Sequence, residues 1–464
     1  MWDYDIAILG ATTSAGLRAA WCAVRQGARV ALVGTPAALT STAAVWETVA
    51  CKWGDREVQP PDWEALALQA RVAQQAIARL RNNPTLAIAG VDWLSESDDI
   101  RFGTAGLRGG LHVGQRCVRA QRYLLAFPTQ LRQPEIAGLA RAGYCDSESW
   151  LPQAAAGGQQ WTVLGSDPAA IAWAQRLARW GKSVTLVVSA AQLLPGWVDR
   201  EMAVALQRLL EADGLTVLLE ATVREVRLCP DDRKEIVAAT KTWLADEIFV
   251  ADGTQPDSGT LNLDVVGVTA RAGEFRLDRQ LRAANRHIFA CRTWLGSAIA
   301  QQDAEIATHN ALFGRWPWRR RSSPRLHEVP RLLRMQPGLA VLGFTEAQAQ
   351  KRWPGQVSAC TRYLAQQPRY CLDEATSGAC KIVARQDGCL LGVQLLAQGA
   401  DDLLAVASLM RQQQMSVLDL SRLVVPPLSR VQLLVETAQQ WLQMYRQQSS
   451  RSSHWLRRQR RWRL

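Results

Sequence analysis

Ten cysteines and two glycine turns are the parts of this 464-residue sequence whose residue types could carry chemistry. The cysteines are Cys22, Cys51, Cys117, Cys145, Cys229, Cys291, Cys360, Cys371, Cys380 and Cys389. Dithiol exchange needs two thiols in reach of each other, and none of these forms a CxxC or CxxxxC pair. The five histidines are scattered without zinc spacing, so no metal centre can be drawn. The opening MWDYDIAILG has neither a basic leader nor a cleavage site, so the cysteines are expected as free buried thiols in a reducing compartment. The glycine turns are Gly10, Thr12, Ala15 and Gly165, Asp167, Ala170. A strand-to-helix turn of this kind lets backbone N–H groups approach a pyrophosphate, provided its second conserved position is also glycine. Thr12 puts a β-branched side chain there. Asp167 puts a carboxylate there, with repulsion on the order of several kcal/mol in a poorly solvated site.

The elements around these turns read as two β-α-β units. YDIAILG (4–10), a helical pattern from Leu17 to Val24 and ARVALVG (28–34) form the first. WTVLGSDPAA, the helix AIAWAQRLARWG and SVTLVVS form the second, followed by a helix (199–212) and a strand (215–220). Between the units lie an amphipathic helix (63–81) and short strands (86–126). DEIFVADGT (246–254) and RHIFACRTWLG (286–296) each read as a strand ending in a turn. An Arg-, Pro- and Ser-rich break covers 315–330. Strands and helices resume from 331 to 442.

Of the net charge of +12, seven arginines lie between Arg446 and Leu464 with no acid among them, leaving +5 on the rest. Such concentration suits a docking element rather than a basic enzyme surface. The tail interleaves Trp455, Leu456 and Trp462 with arginines, and Trp455 and Trp462 share a face on a helix. An anionic membrane surface or an acidic protein partner suits it, and a disordered solubilising tail is the plain alternative. Nucleic acid is disfavoured, because no base-reading fold accompanies the charge. No stretch of eighteen uncharged apolar residues indicates a spanning helix.

Six segments, in order, resemble the pyridine nucleotide–disulfide oxidoreductases, the family of mercuric, glutathione and dihydrolipoamide reductases. YDIAILGATTSAGL resembles the FAD-binding start, and ALTSTAAVWETVACKWG lies where the family has GGTCLNVGCxPSK. VLGSDPAAIAWAQRLARWGKSVTLVVSAAQLLP resembles the NAD(P) unit, VADGTQP resembles ATGxxP, and IFACRTWLG resembles the second FAD segment, IFAxGD. VPRLLRMQPGLAVLGFTEAQA and LLGVQLLAQGADDLL resemble the dimerisation domain. The resemblance implies an α/β chain with FAD-type and NAD(P)-type Rossmann-like domains and a C-terminal α+β dimerisation domain. The expected divisions are 1–150 and 266–330 for the FAD-type domain and linker, 151–265 for the NAD(P)-type, 331–442 for dimerisation and 443–464 for the tail.

The family's chemistry is not matched. Aligning Thr42 and Lys52 on the redox segment puts Ala43 and Thr48 at the cysteine positions, and Cys51 at a serine position where a lone thiol replaces nothing. The His-Glu pair of HPxxSE becomes Val425 and Arg430. Gly34 replaces the ribose-holding acid, Arg292-Thr293 replaces Gly-Asp of the second FAD segment, and Ala126-Phe127-Pro128 stands at the first ATG-like segment. In the NAD(P) unit Ala172 replaces the glutamate that pairs with the family lysine, and Val188 stands at the ribose-selecting position. Trp46 and Trp294 fall inside lost motifs, either filling flavin space or, more simply, as ordinary tryptophans.

No catalytic or metal-binding residue is therefore expected. The cofactor candidates are Gly10, Thr12, Ala15, Thr42, Lys52, Arg292 and Thr293 for FAD, with Gly165 and Ala170 for NAD(P), the weaker case. The expectation is a homodimer in the cytoplasm, at most peripheral to a membrane, that is not a disulfide reductase and acts in binding or assembly. The alternative is an FAD-dependent NAD(P)H oxidoreductase passing electrons to a quinone, dioxygen or a partner protein without a dithiol.

Overall fold

The computed structural model describes residues 2–34 without 12, residues 72 and 90–94, and residues 100–461 apart from 105, 148, 156–157, 240, 258–260, 272–273 and 315–321. Thr12, Thr42 and Lys52 lie outside the described residues, as do Ala43, Trp46, Thr48 and Cys51.

Apolar runs too short for helices form two parallel sheets. The first has strand order Ile288–Ala290, Ala120–Leu125, Tyr4–Leu9, Val30–Val33, Val91–Leu94. Helices Ser14–Arg25 and Ser297–Phe313 pack together on one face. Their contact is made of small residues, Ala15, Ala19, Ala20 and Ala23 against Ala300, Ala304, Ala307 and Ala311, so the two backbones approach closely. The second sheet runs Thr216–Leu218, Ser183–Val187, Gln160–Leu164, Glu247–Val250, all parallel, with an antiparallel three-stranded sheet (Val223–Leu228, Lys234–Ala238, Thr242–Ala245) beside it. Its helix Pro168–Arg179 buries Trp173 against Phe249, Trp150 and Trp180, and Trp150 stacks on Trp180 at 5.2 Å. These indoles pack the helix against its sheet with apolar volume.

The third unit is an antiparallel five-stranded sheet, Arg331–Leu333, Gly338–Gly343, Leu390–Ala397, Ala379–Arg385, Val357–Tyr363. It is backed by helices Ala400–Gln412 and Gln432–Arg461. The overall α/β architecture, with an α+β third unit, is the one that the sequence implied.

Three details differ. The final helix does not stop near residue 442 but continues to Arg461, because no Gly or Pro interrupts 432–461 and Gln, Leu, Met and Arg sustain a helix. In the 286–296 segment only Ile288–Ala290 is strand, and Thr293–Leu295 closes into a 3₁₀ turn. The nine described cysteines are all free, yet only Cys145, Cys291, Cys360 and Cys380 are buried, while Cys117, Cys371 and Cys389 are exposed.

A buried charge ties the second unit to the third. Lys381, 2% exposed on the strand Ala379–Arg385, sits 2.8 Å from Glu346, 3.0 Å from Glu201 and 3.3 Å from Asp199. Asp199 opens the helix Arg200–Ala212, accepts the Glu346 N–H at 3.1 Å, and accepts the Gln394 side-chain amide at 2.6 Å. Burial alone would lower the lysine pKa, but hydrogen bonds and charge from Glu346, Asp199 and Glu201 outweigh it and leave the pKa raised. Nearby, Gln336 N–H donates to Gln175 Oε1 at 2.8 Å, and Arg176 donates to the Arg334 carbonyl at 2.8 Å.

Candidate functional site

Both glycine turns sit at the carboxyl edge of their sheets, where open α/β sheets place ligands. At the first, Gly10 has φ +127°, and a Cβ there would lie 1.9 Å from the Ala126 carbonyl oxygen. Only glycine lets this turn lie against the neighbouring strand end. Gly16, which the spacing rule passes over, is equally constrained, since its Cβ would lie 2.1 Å from the Gly10 carbonyl oxygen. Its position one residue after Ala15 was the available signal. Thr13 caps the helix: its Oγ1 accepts the Gly16 N–H at 2.9 Å. The same hydroxyl lies 2.8 Å from the Ala126 carbonyl and 3.0 Å from that of Gly10, and donates to one at a time. Ala15 is buried beneath the turn. At Gly34, a Cβ would crowd the Ala11 nitrogen and Cβ at 3.0 Å, so an acid is not simply missing there but poorly accommodated.

The second FAD-like segment has been rebuilt. Arg292 donates from Nε and Nη2 to both oxygens of Asp303, at 2.8 and 2.7 Å, and its backbone N–H donates to Oδ2 at 3.0 Å. Asp303 lies in the helix Ser297–Phe313 and is fully buried. This bidentate pair locks the loop to the helix and cancels the arginine's charge internally. Asp303 is not legible in the sequence, because nothing in the primary structure links a carboxylate eleven residues downstream to the arginine. Thr293 Oγ1 is buried without a hydrogen-bond partner among the described residues. Trp294 packs edge-on against Phe275 at 5.8 Å and joins the core of the first unit, an ordinary tryptophan environment.

The second turn repeats the first. Gly165 has φ +149°, and a Cβ there would lie 2.1 Å from the Ala251 carbonyl oxygen and 3.2 Å from the Ala170 Cβ. The electrostatics are opposite to what a phosphate needs. Asp167 stands at the N-cap of Pro168–Arg179 but makes no side-chain cap bond. Its carboxylate instead lies over Gly253, where a Cβ would be 3.0 Å from Oδ2. Burial, then the charge of Asp252, pushes the Asp167 carboxyl upward, and burial pushes Asp252 up as well. Arg132 opposes both shifts. Its N–H donates to the Gly253 carbonyl at 2.9 Å, and its buried Nε has no partner among the described residues. Val188 and Ala172 are buried and apolar. A dinucleotide diphosphate would meet two carboxylates here, so these residues do not fit NAD(P). The first turn, with its close backbone approach and no acid in the turn itself, fits a pyrophosphate, whereas the ribose and ribityl positions carry Gly34, Arg292 and Thr293 instead of carboxylates.

At the former acid-base segment Val425 is half-buried against the third core, and Arg430 donates to Asp373 Oδ2 at 3.2 Å and to Gln398 Oε1 at 3.0 Å. Val424 beside them is 94% exposed, with Leu423 and Leu428 also exposed. No group of three or more potential metal ligands occurs among the described residues.

Comparison with known proteins accords with this architecture. Over 328 residues the chain is 26% identical to a mercuric reductase of Bacillus cereus, an alignment covering 69% of this chain and 51% of that protein. It is 25% identical over 268 residues to a dihydrolipoyl dehydrogenase of Geobacillus stearothermophilus, covering 56% and 55%. The match thus spans just over half the length of these relatives. The solved structure of the HOCl-induced flavoprotein disulfide reductase RclA from Escherichia coli superposes with a TM-score of 0.78 at 19% identity, over 94% of this chain and 99% of that one, which shows a shared fold. Residues 329–432 match the dimerisation domain of the pyridine nucleotide-disulphide oxidoreductases. Residues 4–292 match the main model of the same group, and the chain belongs to the pyridine nucleotide-disulphide oxidoreductase family.

Proposed function

We propose that this chain is a family member that does not reduce disulfides and serves as a homodimer in binding or assembly. The observation that carries the reading is Asp167 beside Asp252 at the second glycine turn, where a reductase of this family would receive its nicotinamide dinucleotide. The replaced cysteine, histidine and glutamate positions at Ala43, Thr48, Val425 and Arg430 support it. The visible spectrum of the purified protein tests it. The expected result is a protein that shows no flavin band bleached by NADH or NADPH. A stoichiometric flavin that bleaches with either nucleotide overturns the reading.

One observation favours a second reading, an FAD-dependent oxidoreductase without a dithiol: the first glycine turn, unlike the second, carries no carboxylate where a flavin dinucleotide's pyrophosphate would meet the start of the helix Ser14–Arg25. That reading expects a flavin band and electron transfer to a quinone, dioxygen or a partner protein. A protein that stays colourless after incubation with FAD excludes it.

The dimer is supported by the dimerisation-domain match and by the exposed apolar segment around Val424. Light scattering after gel filtration should give twice the 51.3 kDa chain mass, and a monomer at micromolar concentration would refute it. The helix that continues to Arg461 carries the Arg-rich stretch, which suits an anionic membrane surface or an acidic protein. A chain ending at Tyr445 should lose sedimentation with vesicles containing phosphatidylserine, and unchanged sedimentation removes the tail from the account. Among the described residues no helix is long and apolar enough to cross a membrane.

A further inference from the structure

The backbone of the second glycine turn keeps the form of the first. Gly165 lies against the Ala251 carbonyl, and the helix Pro168–Arg179 starts directly after the turn. Pro168 has no N–H, and the Ala170 N–H turns back to the Asp167 carbonyl at 3.1 Å. The Ala169 N–H has no partner among the described residues. A helix end with an open N–H attracts an anion. An aspartate at the N-cap ordinarily turns in and accepts such an N–H. Asp167 does not: it makes no side-chain cap bond, and its Oδ2 lies over Gly253 instead. The charged carboxylate thus forgoes the stabilisation its position offers, and burial and Asp252 push the carboxyl upward.

Two other charged groups act on Asp167, one from each neighbouring loop. Asp252 follows the strand Glu247–Val250, and Arg132 follows the strand Thr129–Leu131. The buried Arg132 Nε is a donor without an acceptor among the described residues. With Asp167 charged, two acids face one guanidinium and a diphosphate is repelled. With Asp167 neutral, Asp252 and Arg132 balance, and the positive helix end decides. We infer that Asp167 gates this turn: charged, it excludes the diphosphate of a nicotinamide dinucleotide, and neutral, whether by a proton or by substitution, it admits one. The gate rests on the reading above, in which the charged turn refuses a dinucleotide.

The probe is ADP-ribose, which carries the diphosphate and adenosine of a dinucleotide without a redox ring. It is titrated by calorimetry, at pH 7.5 and pH 5, into the full-length protein, Asp167→Gly, Asp167→Asn, and Asp167→Gly combined with Arg132→Gln. Asp167 has an extended backbone, φ −74° and ψ 153°, and no cap bond to lose, so glycine or asparagine there should keep the wild-type circular dichroism. At pH 7.5 Asp167→Gly should bind about tenfold or more tightly than the wild type, and Asp167→Asn should gain in the same direction. Acidification to pH 5 should strengthen wild-type binding, with a smaller response, due to Asp252, left in the two single variants. An equal response in Asp167→Gly would move control to Asp252 and overturn the gate. Adding Arg132→Gln should remove the gain, and a gain that survives it would place the nucleotide at the first turn and overturn the assignment. If the wild type stays silent and neither single variant binds, the gate is refuted while the proposed function stands. If the wild type binds at pH 7.5 as tightly as Asp167→Gly, both fall.

Discussion

Replacing Lys381 with methionine tests whether the link between the second and third units is electrostatic. The lysine is 2% exposed and faces three carboxylates within 3.3 Å. Removing one partner of a fully buried pair costs roughly 3–5 kcal/mol, because the remaining charge is stranded. Here Glu201 and Glu346 are 56% and 37% exposed, so water screens two of the three acids, while Asp199 at 10% is not screened. The expected loss is therefore about 2–3 kcal/mol, most of it from Asp199. With a urea slope of about 3 kcal/mol/M, the first unfolding transition should move down by roughly 0.7–1 M. The pH dependence gives an independent check. A raised lysine pKa means that the wild-type contribution is complete below about 10.4 and fades only as pH rises beyond it. The variant lacks this titration, so its deficit should hold from pH 7 to pH 9 and narrow only above about 10.4. A loss under about 0.5 kcal/mol, or a deficit that already narrows between pH 7 and pH 9, would refute the reasoning.

Three further outcomes are expected. Arg292→Ala should cost about 3 kcal/mol by leaving the buried Asp303 carboxylate without its bidentate partner, and Arg292→Ala with Asp303→Ala should recover part of it in the same denaturation assay. Asp167→Asn should stabilise the protein at pH 7. Since the Asp167 pKa is raised on folding, its penalty is full above that value and vanishes below the free-aspartate value of about 3.9, so the gain should disappear toward pH 4. Finally, an aromatic disulfide reagent at pH 7.5 should label Cys117, Cys371 and Cys389 in the native protein, and should reach Cys360 and Cys380 only after denaturation. Burial pushes the Cys360 and Cys380 thiols up to about 11 and about 12. Rapid native labelling of those two would contradict the packing.

The frame was legible in the sequence because its signals are local. An apolar run, a glycine and a helical repeat fall within about thirty residues, and this is how both β-α-β units were recognised. The losses at Asp167, Val425 and Arg430 were legible for the same reason, as substitutions inside short motifs. What replaced the lost chemistry was not legible. Asp303 meets Arg292 because a loop folds back on a helix, and Lys381 meets Asp199 and Glu201 across about 180 residues. The final helix runs further than its sequence suggests, because an Arg-rich composition points to a solvated tail while uninterrupted helix formers decide the backbone.

Gly10 and Gly165 are each pinned by a carbonyl of the adjacent strand, Ala126 in one case and Ala251 in the other. The requirement comes from the protein's own backbone, with no nucleotide involved. Selection on folding alone would therefore keep both glycines long after a cofactor had been abandoned, while the positions that touched only the cofactor drifted. In descendants of nucleotide-binding ancestors, these two glycines record ancestry, and the neighbouring side chains at Asp167, Arg292 and Thr293 record present use.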